Sequence, residues 1–223
     1  MRVLIDCQTL STTDIDRGIG RYLCNILRNL ATTFSPLDRY FVLLSNSEKT
    51  QVQELTPDTT GTILTPQGAL PDNCREVQQR MQDAIRVATR EHKIDIFWNP
   101  NPLMANVIPT KLDFGLPTVA TVFDLIPLKL ATLYLRNWPK TVRDDYMNRI
   151  ATLRRFDRLL AISESTRSDL CSLCSVPREK IEVTHLGVDD TFHTMQPNPV
   201  MESTLRARLG LNHRFLLYTG GFD

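Results

Sequence analysis

The sequence predicts an α/β fold, a Rossmann-like, mostly parallel sheet with helices on both faces. Three observations carry that expectation. Short runs that are apolar throughout, such as Val3-Leu4-Ile5 and Phe41-Val42-Leu43-Leu44, recur along the chain, and strands buried on both faces read this way. Segments with apolar residues at helical spacing alternate with them. Glycine, asparagine, serine and acidic residues gather after the strand ends, which is where open α/β sheets place their ligands.

The elements follow in order. Arg2-Val3-Leu4-Ile5-Asp6 reads as a short buried strand, and Arg17-Gly18-Ile19-Gly20-Arg21 as a tight turn. Tyr22, Leu23, Ile26, Leu27 and Leu30 then make the apolar stripe of a helix. Tyr40–Ser45 is a strand, and Thr50–Thr60 a polar loop or short helix. Thr62-Ile63-Leu64 is a strand between Gly61 and Pro66. Asn73–Lys93 is helical, with Val77, Met81, Ala84, Ile85 and Ala88 on one side. Ile94–Trp98 is a strand stopped by Asn99-Pro100-Asn101-Pro102. Pro117–Val122 is a strand leading into Phe123-Asp124-Leu125-Ile126-Pro127. Trp138–Phe156 is a helix with Pro139 in its first turn. Leu159–Ile162 is a strand, followed by a helix to about Leu173 that a Thr166-to-Asp169 capping box would open. Ile181–Thr184 closes a count of up to seven strands before residue 190.

Residues 1–190 therefore read as one Rossmann-like domain. Residues 191–223 read as a linker, a helix over Glu202–Leu209 closed by Gly210, and a new strand over Arg214–Thr219 that opens onto Gly220-Gly221. That interrupted βα unit predicts the start of a truncated second domain.

Glycines where a strand's loop enters a helix let backbone approach a ligand, and the helix N-terminus offers free N–H groups to a phosphate or a sugar hydroxyl. The turn is not the dinucleotide fingerprint, because Leu23 stands where the third glycine belongs and no acid ends the second strand. Nor is it a P-loop.

Composition excludes other classes. Hydrophobic content of 42% and charged content of 23% are those of an ordinary globule, and the net charge of +1 selects no partner. No apolar run reaches the roughly 20 residues of a membrane helix, and no signal peptide opens the chain. Five unevenly spaced cysteines argue against a disulfide framework and for a cytoplasmic setting. Cys171 and Cys174 form a lone C-x-x-C pair, more plausibly two small residues on one helix face than a zinc or redox site.

The ordered motifs resemble family-4 glycosyltransferases of the GT-B fold, in the branch that builds bacterial surface polysaccharides. They are Gly18-Ile19-Gly20-Arg21-Tyr22, Val122-Phe123-Asp124-Leu125-Ile126-Pro127-Leu128, Arg158-Leu159-Leu160-Ala161-Ile162-Ser163-Glu164-Ser165-Thr166, Val183-Thr184-His185-Leu186-Gly187-Val188-Asp189 and Tyr218-Thr219-Gly220-Gly221. The resemblance implies a front domain for the acceptor and a rear domain for the nucleotide sugar, which carries an E-x7-E pair. It implies transfer of a hexose with retention of configuration. The nucleotide-sugar donor would be a substrate, with no tightly bound cofactor and no metal. The acceptor would be a glycan or a lipid-linked sugar. Gly18, Ile19, Gly20 and Arg21 would then meet donor or acceptor, with Phe123, Ser163 and Glu164 bordering the cleft and Asp124 as the catalytic candidate. Two departures stand out. The E-x7-E region lies outside this sequence, and the family pattern commonly has His where this chain has Phe123.

Each candidate also has a plainer role. Asp124 at a strand end can serve as a loop hydrogen-bonder, Glu164 can favour a helix dipole, and His185 can be structural. From Lys129 to Arg158 eight basic residues face three acids. This is either a solvated helix face or a surface for anionic inner-membrane lipid, with Arg154, Arg155 and Arg158 facing the membrane. No stacking platform accompanies the charge, so no nucleic-acid partner is expected. The competing functions are a non-catalytic glycan- or membrane-binding module and a sugar-nucleotide epimerase of the same architecture.

Overall fold

The structure is a computed structural model, and it describes residues 1–33, 37–44, 60–64, 75–103, 112–188, 192, 196 and 198–218. Seven strands form one sheet in the order β3-β2-β1-β4-β5-β6-β7. They are β1 (Arg2–Asp6), β2 (Arg39–Leu44), β3 (Thr60–Leu64), β4 (Ile96–Asn99), β5 (Thr118–Val122), β6 (Arg158–Ala161) and β7 (Ile181–Val183). Every adjacent pair is parallel, with Ile5 beside Trp98 and Val122 beside Ala161. The strand order reverses between β1 and β4. That point is where an open sheet leaves a crevice outside its carboxyl ends.

Helices α1 (Gly18–Thr33), α2 (Arg75–His92), α3 (Ile126–Lys129), α4 (Lys140–Leu153) and α5 (Glu164–Cys174) accompany the sheet. Side chains alternate across each strand, and this sorts the core into clusters. Val3, Ile5, Val42 and Leu44 meet Leu23, Leu27 and Leu30 of α1. On the opposite face Leu4, Leu43 and Phe97 meet Met81, Ile85 and Ala88 of α2. Ala120, Val122, Leu159 and Ala161 meet Ile150 and Leu153 of α4 and Leu170 and Cys174 of α5. These apolar stripes are the ones the spacing predicts, except that Val142, one turn before Tyr146 on α4, is exposed, and the Val77 side chain lies outside the described residues.

Several local expectations are corrected. The glycines are not a turn ahead of a helix: two short 3-10 turns, Gln8–Ser11 and Thr13–Asp16, make the reversal and α1 begins at Gly18. The Thr166-to-Asp169 capping box is displaced by Ser163, whose Oγ accepts from the Thr166 N–H at 3.1 Å. Helix α4 starts at Lys140 and ends at Leu153, inside the predicted Trp138–Phe156, with Pro139 as its N-cap. The ring of Pro139 disfavours helical backbone at Trp138. Pro127 sits in the first turn of α3, a helix that the sequence pattern alone does not mark.

Contacts divide the chain into two units, Met1–Gly187 and Val188–Asp223. In the second, α6 (Pro199–Leu209) begins three residues before the predicted Glu202. The Asn198 Oδ1 accepts from the Val200 and Met201 N–H groups at 3.1 and 3.0 Å, and Gly210 ends the helix with φ 65°. The predicted Arg214–Thr219 strand is absent over the described 214–218, whose side chains are exposed. An apolar run is a strand only when a neighbour accepts its ladder, and this run joins no ladder among the described residues. Residues 50–59 of the predicted loop, Asp189 and Thr219-Gly220-Gly221 lie outside the described residues.

Candidate functional site

The carboxyl edge of the sheet gathers the start of α1 and the ends of β4, β5 and β6. Gly20 is fixed by packing. A Cβ there would lie 2.3 Å from the Ile15 carbonyl oxygen and 2.4 Å from that of Asp14, so only glycine lets the helix start rest on the preceding turn. A Cβ on Gly18 would meet nothing within 4 Å. The first turn of α1 is therefore open at Gly18 and closed at Gly20. Ile19 is half-buried and Arg21 is exposed, its N–H bonded to the Arg17 carbonyl at 3.0 Å.

Tyr22, one residue on, joins α1 to the strand ends. Its ring meets Phe123 edge to face, centroids 5.3 Å apart and planes at 84°, and meets Trp98 at 6.4 Å. The Trp98 indole N–H donates to the Thr121 Oγ1 at 3.0 Å. Burial pushes the Tyr22 hydroxyl pKa up, with a hydrogen bond to Thr121 opposing it. Phe123 thus forms an apolar wall beside the helix start, where a His would present ring nitrogens.

The start of α5 is tied to the same strand end. The Thr166 hydroxyl donates to the Phe123 carbonyl at 2.7 Å and lies 2.9 Å from the Ser163 Oγ. Ser163 is thereby committed to capping. Glu164 is exposed and ion-paired with Arg167 one turn on. Asp124 is exposed too, and its Oδ1 accepts from the Ile126 N–H at 3.0 Å, which shapes the entry to α3. The structure brings Gly18, Tyr22, Phe123, Ser163 and Thr166 onto one continuous edge.

A polar cluster lies at the β1/β4 crevice, among the strand-end residues Asp6 to Arg21 and Asn99 to Asn101 that the sequence sets along the ligand edge without singling them out as site residues. Asp6, Gln8, Thr9, Asn99 and Asn101 are all buried there. Asp6 accepts from the Gln8 backbone at 3.1 Å and from the Gln8 side-chain amide at 3.0 Å. Burial lifts the Asp6 carboxyl from its ordinary 3.8 to about 6, against the Gln8 hydrogen bonds and the Arg149 guanidinium. The Asn101 amide donates to the Thr9 Oγ1 at 3.1 Å, and the Asn99 Oδ1 accepts from the Asn101 N–H at 2.9 Å. The Asn99 Nδ2 is a buried donor without a partner among the described residues. The available signal was an Asp at the end of the first strand and two asparagines at the reversal of strand order. Arg149, buried in α4 and paired with Asp145 at 2.7 Å, carried no such signal.

Other candidates lie apart. Arg154, Arg155 and Arg158 are exposed at the end of α4 and the start of β6, the amino edge of a parallel sheet. His185 is exposed beyond β7. Cys171 and Cys174 are free thiols, and burial raises Cys174 to about 11, which suits packing rather than redox chemistry. Among the described residues no group of His, Cys, Asp or Glu could hold a metal.

The glycosyltransferase family 4 model matches residues 17–192, most of the chain and all of this edge from α1 to β7. The chain belongs to glycosyltransferase family 4. No curated protein matches it in sequence. Its fold is similar to a glycosyltransferase from Rickettsia africae, with a TM-score of 0.54 and 14% identity over 95% of this chain and 50% of that one. It is also similar to UDP-GlcNAc 2-epimerases. The one from Neisseria meningitidis, solved bound to UDP-GlcNAc, has a TM-score of 0.55 and 13% identity over 82% of this chain and 46% of that one. The one from Methanocaldococcus jannaschii has a TM-score of 0.52 and 17% identity over 82% and 45%. The chain thus spans about half the length of these structures. Family 4 membership and the parallel α/β fold agree with the resemblance read from the motifs. No described helix is long and apolar enough to cross a membrane.

Proposed function

We propose that this chain is the acceptor-side half of a retaining glycosyltransferase. It moves a hexose from a nucleotide sugar to a glycan or lipid-linked acceptor of a bacterial surface polysaccharide. The observation that carries the reading is the family match over residues 17–192, which takes in α1 and every strand that follows it in the sheet. The open first turn of α1 at Gly18 supports it, since backbone N–H groups there suit a phosphate or hydroxyl oxygen. Phe123 supplies a wall rather than a hydrogen bond, so another polar group or a water meets the sugar instead. Asp124 remains the candidate for the reacting face, exposed in the loop that enters α3. The donor is a substrate, and the E-x7-E pair would come from a rear domain joined after residue 190. In this reading residues 191–223 begin that domain, and the 223-residue chain by itself transfers nothing.

The test is a panel of nucleotide sugars labelled in the sugar, offered with extracted lipid-linked acceptors to the complete gene product. Transfer of label into the acceptor with the anomeric configuration kept is the expected result. Interconversion of UDP-GlcNAc with its C2 epimer, without an acceptor, would replace the transferase with the epimerase reading. Turnover by the 223-residue chain alone would overturn its assignment as a half-site.

A further inference from the structure

Three aromatic rings meet at the carboxyl edge, each of them half-buried: Tyr22 on α1, Trp98 on β4 and Phe123 one residue beyond β5. The Tyr22 ring joins the other two, edge to face, at 5.3 Å from Phe123 and 6.4 Å from Trp98 between centroids. A buried tyrosine or tryptophan needs a partner for its polar atom, and here one side chain serves both. The fully buried Thr121 Oγ1 accepts from the Trp98 indole N–H at 3.0 Å and is also bonded to the Tyr22 hydroxyl. Phe123 has no polar side-chain atom. The polar atoms of the cluster therefore point inward at Thr121, and the rings turn carbon to the edge.

The hydroxyls tied to the Phe123 backbone are engaged as well. Thr166 donates to the Phe123 carbonyl at 2.7 Å, which leaves Ser163, 2.9 Å from the Thr166 Oγ1, as the donor of that second bond. The Ser163 oxygen meanwhile accepts from the Thr166 N–H at 3.1 Å. A sugar hydroxyl pressed against the rings would give up its water without gaining a partner from them, from Ser163 or from Thr166. A methyl group in its place avoids that loss, and its C–H bonds suit the negative face of an aromatic ring. An acetamido group would bring its own N–H and C=O to the same carbon surface. C6 is the carbon that projects from a hexopyranose ring, so its substituent reaches a wall first.

We propose that Tyr22, Trp98 and Phe123 form a subsite for the methyl group of a 6-deoxyhexose. The inference rests on the transferase reading for the presence of a hexose, and it names the class of that hexose. The methyl lies against the three rings, and the remaining hydroxyls face water and the polar groups elsewhere on the edge. The same chemistry can come from the transferred sugar of the donor or from the last sugar of the acceptor.

The experiment compares matched sugars with the complete gene product. GDP-mannose is set against GDP-6-deoxymannose, and UDP-glucose against UDP-6-deoxyglucose, with one extracted acceptor. Acceptors ending in a hexose or in its 6-deoxy form are then compared with one donor. In one of the two arms kcat/KM should favour the 6-deoxy member by on the order of tenfold to a hundredfold, and that arm tells whether donor or acceptor meets the rings. Phe123→His should bring the ratio close to one, whereas Phe123→Leu should keep it. In parallel the 223-residue chain carrying Trp138→Phe, with Trp98 as its remaining tryptophan, is titrated with methyl mannoside and methyl 6-deoxymannoside. Trp98 emission should respond to the deoxy sugar at the lower concentration. Equal use of hexose and 6-deoxyhexose in both arms would overturn the subsite and leave the transferase reading intact. Absence of transfer from every donor would overturn the transferase reading instead, and Trp98 emission would then decide the subsite. An equal response to the two glycosides, or none, would overturn it. Emission that answers only to methyl N-acetylglucosaminide or to UMP would overturn it too, and would assign the rings to an acetamido group or a base.

Discussion

Gly18 and Gly20 look alike in the sequence and differ in the structure. Gly20→Ala forces a methyl group into backbone oxygens at 2.3 and 2.4 Å. Backbone yields less than a side chain would, so the expected loss is at the upper end of the roughly 1–3 kcal/mol of overpacking. Gly18→Ala enters open space, and its stability should stay within about 0.5 kcal/mol of wild type. Urea unfolding of the two variants checks this, and equal losses would contradict it. Asp6 gives a second test. Its folded carboxyl titrates at about 6 and its ordinary value is 3.8, so between those pH values the folded chain binds more protons than the unfolded one. Stability from this residue is full below the lower value and is lost as pH rises through the upper, by about 3 kcal/mol at most. Asp6→Asn cannot ionise. Its stability relative to wild type should therefore climb from pH 4 to pH 7 in urea titrations, and a flat difference would contradict the burial of a carboxyl here.

At the level of elements, apolar runs located every strand of the sheet and apolar stripes the helices α1, α2 and α4, because burial on a pleat or a helical stripe writes itself directly into the sequence. What it missed depends on contacts across the chain. Ser163 rather than Thr166 caps α5, and Thr166 is drawn instead to the Phe123 carbonyl, 43 residues away. The Arg214–Thr219 run had strand composition but found no ladder over its described part. The start of α1 was misplaced because Gly18 and Gly20 suggest a turn, whereas the 3-10 turns before them, capped by Thr12, already reverse the chain. The edge carrying Gly18, Phe123 and Ser163 was visible from strand-end residues alone. The buried crevice of Asp6, Asn99 and Asn101 needed the strand order, since only the β1/β4 neighbourhood brings residues 6 and 99 together.

At the scale of the molecule, the buried apolar residues among those described all belong to Met1–Gly187, and α6 of the second unit buries none of its side chains. An isolated helix of 11 residues is shorter than the ~12–15 needed for even marginal stability in water. The Asn198 cap and the Glu202–Arg206 pair at 2.9 Å together add on the order of 1 kcal/mol, which does not offset the cost of nucleation. Hydrogen exchange on the 223-residue chain should therefore show fast amides over 199–209. Those of β1, β4 and β5 should open only with global unfolding. A chain ended at Gly187 should keep the urea midpoint of the longer one, since it retains all three core clusters. Protection over 199–209 equal to that of β1, or a lower midpoint on truncation, would mean that the second unit contributes to the stability of the first. Protection that rises with protein concentration would assign those residues to contacts between chains.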